Sequence, residues 1–133
     1  MKNILKLSTL SFLLLFVVGC DPAHDIDFIN QTNSNAKIRI KINSEIEPIV
    51  FRESYVGDSI TFNLKPRDTA NIYFGIGTWS DRNIDEVVNS IENIEVETED
   101  IKTLYKSKKS IFEILKENRK GFWWKTKIEI EVK

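Results

Sequence analysis

Ala36-Lys37-Ile38-Arg39-Ile40-Lys41-Ile42 alternates without a break, with the isoleucines in one phase and the cations in the other. Successive side chains of a strand point to opposite faces, so this heptapeptide predicts a strand with one face on a core and the other in water. Antiparallel sheets with one solvated side carry that pattern. Working outward, Asn33-Ser34-Asn35 has turn chemistry and leads back to a second predicted strand over Asp25 to Asn30, with Ile26 and Phe28 inward. On the other side, Glu47 to Arg52 reads as an edge strand because Pro48 cannot donate to a ladder.

The same alternation recurs further on. After the Gly57-Asp58 turn, Ser59 to Leu64 sets Ile60, Phe62 and Leu64 on one side. Thr69 to Gly77 does likewise with Ala70, Ile72, Phe74 and Ile76, and the short Pro66-Arg67-Asp68 connection predicts a hairpin. At Ile84, Val87, Val88 and Ile91 the spacing becomes helical, after a Ser80-Asp81-Arg82-Asn83 loop. Ile94 to Val96 and Ile101 to Tyr105 predict two more strands around Thr98-Glu99-Asp100. A second helix is predicted over Ile111 to Lys120, with Ser110 and Glu113 at capping-box spacing and Gly121 as its stop. Finally, Phe122, Trp124, Ile128, Ile130 and Val132 alternate with Trp123, Lys125, Lys127, Glu129 and Glu131 as a closing strand. The expected fold is therefore mainly β: an antiparallel two-layer β-sandwich, Ig-like, with one or two short helices.

Composition agrees. From Cys20 onward the chain has 18 Ile but 3 Leu and 3 Ala, a strand-forming and helix-poor balance. Those 114 residues carry 17 Lys and Arg against 20 Asp and Glu, a net charge of -3, which argues against a nucleic-acid partner. One domain of this length buries about 65% of its unfolded surface without needing metals or disulfides. The single cysteine, Cys20, excludes an intrachain disulfide, and the single histidine, His24, removes most metal and acid-base constellations.

Met1 to Lys6 is basic, and Leu7 to Val18 is a mostly apolar run of 12 residues, well short of the roughly 20 needed to span a bilayer. This is the layout of a secretory signal peptide, expected as a helix. Val17-Val18-Gly19-Cys20 resembles the bacterial lipoprotein lipobox, which implies cleavage between Gly19 and Cys20 and lipidation of the Cys20 thiol, with palmitate-type chains. Lipidation would also remove an unpaired thiol from an exported protein. The expected division is a signal peptide at 1–19, a lipidated tether at 20–25 and one domain at 26–133. Asp21 resembles an inner-membrane retention signal of enteric bacteria, and Asp21, Asp25 and Asp27 also suit a surface-export tether, so inner and outer membrane both stay open.

The lipobox, the Gly57-Asp58-Ser59-Ile60 turn into a strand, the Ile94 to Tyr105 pair, the Lys109-Ser110-Ile111-Phe112 segment and the finish at Phe122 to Val132 together resemble small lipoproteins of Bacteroidota. That resemblance is one of layout over most of the chain. It implies a β-rich domain and an envelope address, and no activity.

Few residues point to chemistry. His24 falls in the expected tether, where catalytic geometry could not be held. Asp85-Glu86 and the row Glu95, Glu97, Glu99, Asp100 read as solvated acids, and Lys102, Lys106, Lys108 and Lys109 as a solvated basic loop. No calcium-loop spacing is present. Tyr73, Trp79 and Trp123 lie in a loop or on the polar phase of a strand and are the candidate binding residues, Trp123 becoming core if a helix covers that face. The function expected is a non-enzymatic, lipid-anchored binding module of the cell envelope, monomeric, with a protein or glycan partner and without metal, cofactor or catalytic residue. An inhibitor or immunity-type lipoprotein acting on a toxin or hydrolase is the alternative, and a small carboxylate-dependent hydrolase comes third.

Overall fold

The computed structural model describes residues 22–43, 57–121 and 123–133. In chain order these form β1 (Ala23–Asn30), β2 (Ala36–Ile42), β3 (Ser59–Leu64), β4 (Thr69–Ile76), α1 (Asp81–Ser90), β5 (Ile91–Glu97), β6 (Lys102–Tyr105), α2 (Lys108–Glu117), β7 (Arg119–Lys120) and β8 (Lys127–Val132). The signal peptide, Gly19, Cys20, the Glu47 to Arg52 strand and Phe122 lie outside the described residues.

Two four-stranded sheets result, ordered β4-β1-β8-β7 and β3-β2-β5-β6. The isoleucines of β2 are buried as their alternation requires. With Ile60 and Ile94 of the same sheet, and Ile26, Phe28, Ile128 and Ile130 of the other, they form one core in a sandwich-like arrangement. One pairing departs from the antiparallel expectation: β1 and β8 run parallel, from Asp25 opposite Lys127 to Asn30 opposite Val132. Parallel neighbours need a long crossover, and here the second sheet and both helices, all lying between them in the chain, supply it.

The expected β3–β4 hairpin does not form. β3 pairs with β2, β4 pairs with β1, and Lys65 to Asp68 carries the chain from one sheet to the other. The turn after β1 makes the opposite crossing alongside it, and Asn30 ties the two corners together. This side chain is fully buried (0% exposed). Its amide donates to the carbonyls of Ser34 (2.8 Å), Lys65 (3.0 Å) and Leu64 (3.3 Å), while its oxygen accepts from the Thr32 N–H (3.0 Å) and hydroxyl (2.7 Å). A buried carbonyl without a donor costs about 1–3 kcal/mol, so one amide here makes a sheet-switching corner affordable where a hairpin has its own ladder.

Ser80 caps α1, accepting from the Asn83 N–H while Asn83 bonds back to the cap, a capping box built with Asn in place of Glu. The helix buries Ile84, Val87 and Val88, and Ile91 is its C-cap and the first residue of β5. No base sits in its last turn; Lys108 reaches across from α2 and donates to the carbonyls of Ile91 (2.6 Å), Val88 (2.7 Å) and Asn89 (3.1 Å). Partial burial pushes the Lys108 ammonium below its ordinary range. Its positive charge still suits a helix C-terminus.

The second helix begins three residues earlier than its sequence predicts. Ser107, not Ser110, is the N-cap and accepts from the Ser110 N–H at 3.0 Å. Asn118, whose side chain returns to the Ile114 carbonyl at 2.7 Å, ends it, and Arg119–Lys120 then leaves as a short strand. Gly121 follows β7 rather than the helix. Its φ of +124° favours glycine, and a Cβ there would run into the Trp124 carbonyl. The closing strand therefore begins only at Lys127, and the alternation read back through Trp124 does not hold.

Candidate functional site

At one end of the first sheet, β1 and β8 begin and β4 stops, with Ala23 opposite Ile76. Three backbone bonds gather the neighbouring loops there: Gly77 N–H to the Pro22 carbonyl (3.3 Å), Asp25 N–H to Thr126 (3.3 Å) and Trp79 N–H to Lys125 (2.5 Å). The chain thus enters the domain beside the Trp123–Thr126 segment. β1 itself starts at Ala23, inside the stretch expected as tether.

Of the three candidate aromatics, the structure separates one from the others. Trp79 is not a ligand platform: it is 2% exposed, and its indole N–H donates to the Asp25 carbonyl at 3.0 Å. The ring lies 3.9 Å from that of His24 and meets Phe74 edge-on at 5.1 Å, centroid to centroid. A loop residue is expected at the surface, but this loop folds under the sheet end. Tyr73 and Trp123 are exposed, at 61% and 84%, and Trp124 and Ile76 join them at 69% and 64%.

His24 is part of the fold, buried against Trp79, with Nε2 lacking a hydrogen-bond partner. Burial lowers its pKa, against a smaller upward pull from the Asp25 charge. Below its ordinary value of about 6.5 the unfolded chain takes up a proton that the folded one resists, so stability falls as pH drops from 7 toward 5. Substituting His24→Gln should remove this share of the loss, read as urea midpoints at the two pH values. Equal losses in both proteins would show that His24 does not contribute.

On the outward face of this sheet Asp25 and Asp27 of β1 are buried, which the sequence did not suggest. The Asn71 amide donates to both (3.1 and 2.6 Å), and the Lys127 ammonium lies 3.7 and 3.3 Å from them. Hydrogen bonding to Asp27, then the charges of the two acids, raise the Lys127 pKa. The cluster ties β1, β4 and β8 together and commits its charges internally, with Tyr73 opposite Asp25 at its margin. Elsewhere Glu95 and Glu97 pair with Lys102, Lys109 with Glu113, and Asp81 with Lys116 and Arg119. Among the described residues, no group of three or more His, Cys, Asp or Glu side chains could hold a metal ion.

The opposite end of the molecule carries two grooves. One, about 530 Å³, runs between β6, α2 and the end of β8 and includes Val96, Tyr105, Ile114 and Val132. The other, about 660 Å³, lies over Asn35, Lys37, Asn63 and Glu97. Sequence reading missed these grooves, the Asp25–Asp27–Lys127 cluster and Trp124. Continuing the β1 alternation of Ile26 and Phe28 back to His24 would have signalled the burial of His24, and nothing comparable pointed to the cluster.

No protein-family model matches the chain, and no curated protein matches it. A protein from Eubacterium rectale, solved by NMR, is similar over 84% of this chain and 80% of its own, at 18% identity and a TM-score of 0.34. That likeness is too distant to carry fold detail or function.

Proposed function

We propose that the chain is an exported lipoprotein, anchored through lipid on Cys20, whose Ig-like sandwich acts as a non-enzymatic binding module in the cell envelope. The observation that carries this reading is the closeness of the lipobox cysteine to the fold. Pro22, two residues after Cys20, already accepts a backbone bond from Gly77. An anchor there holds one end of the domain near the membrane and turns the grooved end outward, where a protein or glycan of the envelope is met. Internal pairing of the acids with Lys102, Lys116, Arg119 and Lys127 favours binding over carboxylate catalysis.

Crosslinking the lipidated protein in its native envelope tests this. A stoichiometric complex is expected, lost when Tyr105 and Ile114 in the groove between β6, α2 and β8 are both replaced by Ser. A complex unaffected by that change would move the binding surface away from the groove, and turnover of the captured molecule would defeat the non-enzymatic reading.

A further inference from the structure

We infer that the Trp123–Thr126 segment is a membrane-contact element: Trp123 and Trp124, flanked by Lys120 and Lys125, sit in the interface of the bilayer that holds the lipid anchor. This rests on the lipid-anchored reading and names the first surface the domain touches.

Trp123 and Trp124 are adjacent and both mostly exposed, and aromatic rings of this size on one surface favour a setting that covers them. Their position says what receives them. The Asp25 N–H bonds to the Thr126 carbonyl and the Gly77 N–H to the Pro22 carbonyl, so the loop stands at the sheet end where the chain arrives from Cys20. Two residues of extended chain reach only about 7 Å, about the depth of a lipid headgroup layer. A domain tethered that closely brings the surroundings of Pro22 to the headgroups whether or not it binds them. Exposed Ile76, opposite Ala23, adds apolar area at the same end.

The chemistry also fits a lipid surface. Tryptophan is favoured at the boundary between headgroups and acyl chains, where its ring is shielded and its N–H stays wet. Lys120 and Lys125 are exposed on either side of the pair, and lysine extends its charge to anionic headgroups over an apolar stem. Of the acids around this end, Asp25 and Asp27 face Lys127, Asp81 faces Lys116 and Arg119, and Glu131 pairs with Lys133 while also feeling the charge of Lys120. The end near the anchor therefore offers exposed aromatics and exposed cations together.

The full lipidated protein, reconstituted into phosphatidylcholine–phosphatidylglycerol vesicles with brominated acyl chains, tests the inference by tryptophan fluorescence. Trp79 is buried in the core and serves as the internal reference. The emission lost on going to Trp123→Phe/Trp124→Phe belongs to the loop. That difference should be quenched at least twofold by brominated lipid and little by aqueous iodide, and it should lose part of its lipid quenching with Lys120→Gln/Lys125→Gln. An acylated, vesicle-bound protein whose loop emission is quenched by iodide and not by bromine would overturn the inference while leaving the anchor standing. Shielding from both quenchers would place a second copy of the chain over the loop and overturn it equally. Absence of acyl mass on Cys20 would remove the anchor reading and this inference with it.

Discussion

Trp79→Ala should cost the domain about 3–5 kcal/mol, read as a lowered urea midpoint with its slope unchanged. Three losses combine. The indole leaves a cavity between His24 and Phe74, the Asp25 carbonyl loses its donor, and the loop whose backbone bonds Lys125 loses the side chain that seats it. Trp79→Phe keeps a ring in the cavity and gives up the N–H, so about 1–2 kcal/mol is expected there. Trp123→Ala, in contrast, should change stability by about 0.5 kcal/mol or less, as an 84% exposed side chain implies. A Trp79→Ala loss below about 1 kcal/mol would mean that this residue does not close the sheet end. The contrast matters because the sequence presents the two tryptophans alike, each outside the apolar phase of a strand.

What could be read from the sequence follows from how local each determinant is. β2 and β3 were legible to the residue because one face of each is buried and the other is wet, so the letters alternate with the environment. In β1 that correspondence fails. Asp25 and Asp27 are buried on the outward face, where Asn71 and Lys127 come from strands about 45 and 100 positions away, and no local pattern announces such partners. The β3–β4 connection was misread for a similar reason: its spacing serves a hairpin or a sheet-switching corner equally well. The choice rests on Asn30, whose neighbours Leu64 and Lys65 are 34 and 35 residues distant. Helix existence was visible in the periodicity of Ile84, Val87 and Val88, whereas the start of α2 turned on which of two serines, Ser107 or Ser110, takes the cap. The candidate site divides along the same line. Exposure of Tyr73 was legible from strand phase, whereas Trp123 precedes β8, where that phase does not apply, and the burial of Trp79 depended on a loop folding under its own sheet.

Cys20→Ala should abolish fatty-acid labelling and move the protein from the membrane to the soluble fraction, a change in partitioning larger than any point substitution in the domain can produce. Each buried methylene contributes about 0.8 kcal/mol, and stable anchoring needs two or more acyl signals, which a diacylglyceryl cysteine with an acylated amino group provides. Protein contacts cannot replace it. Two interfacial tryptophans and two lysines contribute a few kcal/mol at most, which is enough to orient a domain already held at the surface and too little to hold it there at cellular dilution. The two substitutions are therefore expected to separate: loss of the loop tryptophans leaves the protein membrane-bound with altered orientation, while loss of the sulfur releases it with the loop intact. Fractionation after a carbonate wash, with intact mass and amino-terminal sequencing of the native product, distinguishes them. Membrane retention of Cys20→Ala, or a native mature terminus at any residue other than Cys20, would count against the anchor. It would then leave the aromatic end of the sheet to be explained by a protein partner.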